Sequence, residues 1–102
     1  MIKVWYDEVV SIESRSNYVL ISTKDKSITS YMSLSDIASI FSNRENFLKF
    51  QRSFIVNVSR ISSVQGNIIY METGSKIVVG DQYRKNFNEF ISRNLVKARR
   101  ID

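Results

Sequence analysis

Short runs of β-branched and aromatic residues, separated by polar breaks, are the feature that most limits what this chain can fold into. Four such runs fill the first third of the 102-residue sequence: Ile2–Tyr6, Val9–Glu13, Tyr18–Thr23 and Ser27–Met32. Runs of this length and composition predict β-strands. The breaks between them are too short for crossover connections, so we expect mostly antiparallel pairing.

The same pattern returns in the second half of the chain. It predicts strands at Ile61–Val64, Ile68–Glu72 and Lys76–Val79, with turns at Gln65-Gly66-Asn67 and Thr73-Gly74-Ser75. Each turn contains a glycine, which can adopt the positive φ that tight hairpins need. These three strands are therefore expected to form an antiparallel meander.

Two helices are predicted between and after these strands. Ser33 is the expected N-cap of the first, with Asp36 as its capping-box partner and an apolar face of Leu34, Ile37, Ala38 and Phe41. Asp81 is the expected N-cap of the second, whose apolar stripe is Tyr83, Phe87, Phe90, Ile91 and Leu95. The residues alone therefore predict an antiparallel sheet with two helices packed on it, in a single domain over residues 1–102.

The composition argues against catalysis. Histidine and cysteine are both absent, which removes the commonest general base, the commonest metal ligands and all disulfides. The sequence contains neither a glycine-rich nucleotide-binding motif nor a serine hydrolase motif. It also lacks an apolar run long enough to span a membrane. We therefore expect no enzyme activity, no cofactor and no metal.

Charge is distributed unevenly along the chain. Residues 1–51 carry six Lys or Arg and six Asp or Glu, whereas residues 52–102 carry nine and four, which accounts for the net charge of +5. Basic residues are frequent from Arg84 onward, ending with Lys97, Arg99 and Arg100. A basic half indicates a polyanionic partner. Nucleic acid is the favoured class of partner, and an anionic membrane surface is the second candidate.

Three polar segments next to predicted strands are candidates for recognition: Ser14–Asn17, Gln51–Ser53 and Gly80–Gln82, the last leading into Arg84 and Lys85. Arginine can bind guanine in a bidentate manner, Asn and Gln can bind adenine, and Ser can reach phosphate. Each residue also has an ordinary explanation as a solvated loop charge, a turn residue or a cap.

Considered together, these segments resemble the LytTR family of DNA-binding domains. The stretch "VVSIES" at Val9–Ser14, followed by Asn17-Tyr18-Val19, is similar to the opening of that family, and "FLKFQRSFIVN" at Phe47–Asn57 is similar to its F-x-r-i-H-R-S-y-i-V-N motif. The similarity continues through Ile61 and Gly74–Val79 to the last helix.

The resemblance implies a mainly β, elongated fold of about ten short, mostly antiparallel strands with one or two short helices. It implies sequence-specific binding of double-stranded DNA by the output domain of a bacterial, cytoplasmic response regulator of the two-component type. Loops would enter successive major grooves at promoter direct repeats, with a dimer on DNA and a receiver domain in the full-length protein as further partners. The DNA-binding residues carried over are Arg15, Ser16, Asn17, Tyr18, Gln51, Arg52, Ser53, Gln82, Arg84 and Lys85.

Some positions depart from the family or have other roles. Gln51 stands where the family usually has His, so a different base would be read. Gly80-Asp81 stands where the family has Ser-Arg. An Asp facing phosphate would repel it, so Asp81 is expected to cap the helix and leave the contact to its neighbours. Asn57 is expected to be structural, its amide holding a turn.

A different class of function stays open at this point. A regulatory module with a LytTR-like fold could bind a protein partner instead of DNA, with the basic residues only aiding solubility. Retention on heparin or random DNA at moderate salt would separate the two readings. Binding to a membrane surface is disfavoured, because the aromatic stripe of the last helix has the pattern of a core-facing surface.

Overall fold

Eight strands in two antiparallel sheets and two α-helices make up the part of the chain that the computed structural model describes, residues 3–94. The molecule is mainly β and elongated, with extents of 49 × 29 × 24 Å. The described residues therefore confirm the mainly β class, with eight strands where about ten were expected. The strands are β1 Val9–Arg15, β2 Tyr18–Thr23, β3 Ser27–Ser30, β4 Phe47–Gln51, β5 Phe54–Asn57, β6 Ile61–Gln65, β7 Ile68–Met71 and β8 Lys76–Val78.

Strands β1 to β5 form one sheet in the order β3-β2-β1-β5-β4, and β6, β7 and β8 form the predicted meander. All of the pairings are antiparallel. In the turn between β6 and β7, Gly66 has a φ of 60°, whereas Asn67 has no positive φ. That combination fits a type II′ hairpin turn, whose twist matches that of the strands.

The predicted strand Ile2–Tyr6 is wrong over its described part. Tyr6–Glu8 is a 3-10 helix. The backbone N–H of Glu8 donates to the carbonyl of Trp5 at 3.0 Å, and the N–H of Trp5 donates to Glu8 Oε1 at 3.1 Å. Glu8 thus satisfies both the N–H and the carbonyl of Trp5, which in a strand would pair with a neighbouring strand.

The five-stranded sheet is buried on both faces. On one face, Val10 and Val56 pack with Ile69 and Ile77 of the second sheet. On the other face, Val9 and the side chains around it pack under the first helix. A β-bulge between Val9 and Ser11 inserts an extra residue, which explains why Val9 and Ile12, three residues apart, belong to the same cluster while Val10 belongs to the other.

The first helix, α1 Leu34–Ile40, begins after the predicted N-cap, but only one of the two hydrogen bonds of the predicted capping box is present among the described residues. Ser33 is its N-cap, and the Ser33 side chain accepts a hydrogen bond from the backbone N–H of Asp36 at 3.0 Å. Ile37 is buried on the sheet, and Phe41 is the C-cap. Because its apolar residues recur every three to four positions, the helix covers the sheet with one face.

The second helix, α2 Arg84–Asn94, packs beside β4. The rings of Phe87 and Phe50 meet edge to face with centroids 5.1 Å apart. Tyr83, Phe90 and Ile91 of the predicted stripe border the same cluster. The remaining stripe residue, Leu95, lies outside the described residues, as do the basic positions Lys97, Arg99 and Arg100.

Asn57 is structural, as predicted. It is fully buried, and its Nδ2 donates to the carbonyl of Val9 at 2.8 Å. Its Oδ1 accepts from Asn46 Nδ2 at 2.9 Å, from the Ser59 N–H at 3.0 Å and from the Ser59 hydroxyl at 2.6 Å. One amide therefore joins the start of β1 to the segments on both sides of the β4–β5 hairpin.

Candidate nucleic-acid interface

The first two candidate loops are hairpin turns at the same end of the five-stranded sheet. Ser16 and Asn17 connect β1 to β2, and Arg52 and Ser53 connect β4 to β5. Since β1 and β5 are antiparallel neighbours, the end of β1 lies beside the start of β5. The backbone N–H of Ser14 donates to the carbonyl of Ser53 at 2.8 Å, which joins the two loops directly.

The third candidate loop lies against the second. The N–H of Gly80 donates to the carbonyl of Phe50 in the edge strand β4 at 2.9 Å. A Cβ at position 80 would lie 3.2 Å from Tyr83 Cδ2, so a larger residue there would require the Tyr83 ring to shift by a few tenths of an ångström. The second and third loops together line a depression of about 420 Å³.

The three predicted segments therefore form a row across one end of the molecule. We name this row the loop row and define it as Ser14–Tyr18, Gln51–Ser53 and Gly80–Lys85. It brings together all ten of the side chains predicted for DNA binding, of which Arg84 and Lys85 lie on the first turn of α2. The spacing between the loops is set by main-chain hydrogen bonds.

The two hairpin turns of the loop row differ from the glycine turn of the meander. Each has two residues between paired positions, Arg15 with Tyr18 and Gln51 with Phe54. None of the residues in either turn has a positive φ, so neither turn is of type I′ or II′. Turns without those conformations splay the strands that they join.

In the first loop, Arg15 is paired with an acidic neighbour. Arg15 Nη2 lies 2.9 Å from Glu13 Oε1, and this hydrogen bond, with the negative charge of Glu13, raises the pKa of Arg15 above its ordinary value. Residues two apart on a strand share a face, which explains the contact. The guanidinium stays about half exposed. Ser16 and Asn17 are exposed, and Tyr18 is half-buried.

In the second loop, Gln51 and Arg52 differ in their bonding. Gln51 Oε1 accepts a hydrogen bond from the backbone N–H of Ser53 at 2.9 Å, so the carbonyl of this amide is already engaged in the turn. Arg52 is exposed and has no hydrogen bond or ion pair to any other residue in the range 3–94. Its full donor capacity is available to a partner.

In the third loop, the prediction that Asp81 caps the last helix is wrong. Asp81–Tyr83 is a 3-10 helix with Gly80 at its cap position, and α2 begins only at Arg84. The Asp81 side chain is 90% exposed, and its Oδ1 lies 3.2 Å from Arg84 Nη2. Because the chain enters α2 through a 3-10 turn, the Asp81 carboxylate pairs with a side chain. Gln82 and Lys85 are exposed.

One side chain missing from the predicted set borders the loop row. Tyr31, just after β3, is 81% exposed. It lines a depression of about 250 Å³ together with the first loop. Exposed Ser27, Thr29 and Tyr31 alternate with the more buried Ile28, Ser30 and Met32, and this alternation continues past the last residue of β3. The corresponding signal in the sequence is the position of Tyr31 in register with Ser27 and Thr29, on the polar side of the predicted strand.

Neither a metal site nor a membrane-spanning helix is found in the part of the chain that the structure describes. Within residues 3–94, no three side chains of the metal-binding types lie together in an arrangement that could hold a metal ion. Over the same range, neither helix has the length and apolar character needed to cross a membrane.

Two comparisons with known proteins found matches to the chain and its fold. A sequence model of the LytTr DNA-binding domain family matches residues 1–92. No curated protein matches the chain. Among solved structures, a similar one is the LytTr DNA-binding domain of a Bacillus cereus protein described as a methyl-accepting/DNA response regulator. Its TM-score is 0.77 at 22% identity, and the match covers 88% of this chain and 86% of that one.

Proposed function

The chain belongs to the LytTr DNA-binding domain family, and we propose that it binds double-stranded DNA sequence-specifically through the loop row. In this proposal residues 1–102 form a single domain, the output domain of a bacterial transcriptional regulator of the two-component type. A receiver domain in the full-length protein, a dimer on DNA and a cytoplasmic location belong to the same proposal.

The observation that carries the proposal is the joining of three polar loops at one end of a rigid sheet. Main-chain hydrogen bonds of 2.8 and 2.9 Å link the first loop to the second and the third loop to β4. Polar side chains held at fixed spacing suit a ligand with a regular arrangement of donors and acceptors. The edges of base pairs and the phosphates that flank them are such an arrangement.

The width of the loop row suits a duplex. Neighbouring strands lie about 5 Å apart, so the first loop, between β2 and β1, and the second loop, between β5 and β4, lie about 10 Å apart, with the third loop beyond β4. The minor groove is about 6 Å wide and the major groove about 12 Å. The first and third loops, at the two ends of the row, are therefore far enough apart to enter successive major grooves across the minor groove between them.

The basic residues of the loop row differ in whether an acidic side chain lies beside them, and we use this difference to assign their roles. Arg15 and Arg84 each have an acidic partner, Glu13 and Asp81. Arg52 has none within the described residues, so we assign it the strongest contact, to a guanine edge or a phosphate. Lys85, exposed on the first turn of α2, suits a phosphate.

The uncharged residues complete the proposed contacts. Asn17 and Gln82 have amides suited to adenine, and Ser16 and Ser53 have hydroxyls suited to phosphate. The Gln51 carbonyl is engaged with Ser53, so we assign any DNA contact of Gln51 to its amide N–H groups. Tyr18 contributes its phenol at the edge of the first loop.

The test is a selection of bound sequences from a random duplex library at about 0.15 M salt. The expected result is a motif of short direct repeats about one helical turn apart, roughly 10 base pairs. Affinity for the recovered motif should fall steeply with salt, by about 0.9 in log K per log unit of salt for each phosphate neutralised. Uniform binding to all sequences would contradict sequence specificity. An absence of binding to any duplex would contradict the proposal as a whole.

A further inference from the structure

Tyr31 is the most exposed large aromatic side chain of the described residues, at 81%, compared with 64% for Trp5. It follows β3 directly and precedes the cap of α1. Its phenol hydroxyl makes no hydrogen bond to another residue within 3–94. An aromatic ring at this exposure buries little apolar area and therefore contributes little to the stability of the core. Its position needs another explanation.

Tyr31 lies at the end of the sheet that carries the loop row. Ser30 pairs with Val19, and Tyr18, one residue before Val19, pairs with Arg15. The rings of Tyr31 and Tyr18 lie at 67° to each other with centroids 6.3 Å apart, an edge-to-face contact. Strand β3 is the edge strand of the sheet, so Tyr31 extends the row beyond the first loop.

The contact with Tyr18 limits the orientations that the exposed ring of Tyr31 samples. A side chain that is already held in place loses less conformational entropy on binding, so the free-energy cost of ordering it is smaller. A phenol hydroxyl is a common donor to phosphate oxygens in protein–DNA complexes. The hydroxyl of Tyr31 therefore has the exposure, the position and the chemistry needed to donate a hydrogen bond to a DNA phosphate.

We propose that Tyr31 forms a fourth DNA-contacting segment beside the three loops, donating its phenol hydroxyl to a backbone phosphate beside the groove that the first loop enters. The inference rests on the proposed function of the loop row and deepens it. The proposed contact lengthens the bound segment of DNA on the β3 side. Because the donor is uncharged, it stabilises the complex without releasing a counterion.

The test compares Tyr31→Phe with the parent on the selected duplex and on a random duplex over a range of salt. We expect about a tenfold loss of affinity on both duplexes, as for a hydrogen bond to a charged group, with an unchanged salt slope. The matched control is Tyr6→Phe, which removes a hydroxyl before the start of β1, at the far end of that strand from Arg15. The control should bind like the parent.

A second experiment locates the phosphate. Uncharged methylphosphonate groups are placed one at a time along each strand of the selected duplex. At the contacted phosphate, substitution should weaken binding by the parent but weaken binding by Tyr31→Phe much less, because the interaction is already missing.

Three results would overturn the inference. Tyr31→Phe could bind like the parent, its loss could be confined to particular bases, or every methylphosphonate could affect both proteins equally. Failure of the parent to bind any duplex is a separate result, which would refute the proposed function first.

Discussion

Gln51 closes the turn that presents Arg52, since its Oε1 accepts a hydrogen bond from the backbone N–H of Ser53 at 2.9 Å. The turn lacks the positive φ of the usual two-residue hairpins, so a side chain supplies the local bond that stabilises it. The residue is therefore a structural part of the loop as well as a candidate for DNA binding.

Replacing Gln51 with Ala should loosen this turn. We expect a loss of about 0.5–1.5 kcal/mol in the free energy of unfolding, the usual contribution of one hydrogen bond, and faster hydrogen exchange at the Ser53 amide. DNA affinity should fall as well, because Arg52 loses its fixed position. Gln65→Ala, at an exposed position next to the meander turn, is the control. An unchanged exchange rate at Ser53 would contradict this role.

Removing the Arg52 side chain should affect binding and not folding. Because Arg52 is exposed and unpaired within the described residues, Arg52→Ala should leave the unfolding temperature unchanged. We expect DNA affinity to fall by roughly 1–3 kcal/mol. Titration of duplexes that vary at single positions distinguishes the mode of contact. Relaxed preference at one position indicates a base contact, whereas an equal loss on all sequences indicates a phosphate contact.

The control for Arg52 is Lys24→Ala, which removes one positive charge from the turn between β2 and β3, at the opposite end of β2 from the loop row. If Lys24→Ala weakens binding as much as Arg52→Ala does, the loss of affinity in both variants would be explained by weaker electrostatic attraction between the whole protein and DNA. The specific role of Arg52 would then be refuted.

Neutralising Asp81 should strengthen DNA binding. Its carboxylate is 90% exposed at the third loop and partly neutralises Arg84. Asp81→Asn removes repulsion of phosphate, and we expect a gain of about 0.5–1 kcal/mol in binding free energy at low salt. Loss of a surface ion pair should lower the free energy of unfolding by no more than about 0.5 kcal/mol. Asp25→Asn, in the distant β2–β3 turn, should have a much smaller effect. Equal effects at both positions would argue against a DNA-facing third loop.

Removing the Asn57 amide should destabilise the fold. Asn57→Ala leaves the carbonyl of Val9, the amide of Asn46 and two donors of Ser59 without their buried partner. We expect a loss of about 2–4 kcal/mol in the free energy of unfolding, measured by urea denaturation. Asn43→Ala, at an exposed position, should change it by less than about 0.5 kcal/mol. A small effect at Asn57 would show that water replaces the amide.

Local patterns in the sequence were sufficient to predict much of the fold. The bounds of β2 and the cap at Ser33 agree with prediction, because both depend on neighbouring residues. The strand predicted over Ile2–Tyr6 was wrong, because a hydrogen bond from the backbone N–H of Trp5 to the Glu8 carboxylate outweighed the β propensity of the run. Asp81 was predicted wrongly, because an intervening 3-10 turn displaced the start of α2.

The candidate site was harder than the fold to predict from local sequence patterns. Resemblance to a family located the three segments, but the bonds that join them connect residues far apart in the chain, such as Ser14 and Ser53. No local pattern predicts such pairs. The neutralisation of Arg15 by Glu13 was readable in principle, since the two residues share one face of β1.

The main-chain bonds within the loop row also bear on how such a protein can evolve. The side chains of Ser16, Asn17, Arg52 and Gln82 take part in no hydrogen bond within residues 3–94, so none of them holds the loops at their spacing. Substitutions at these four positions should be nearly neutral for folding. Duplicated copies of the gene could therefore diverge in the DNA they recognise by single mutations. For an engineer, the same four positions form a compact library on an unchanged scaffold.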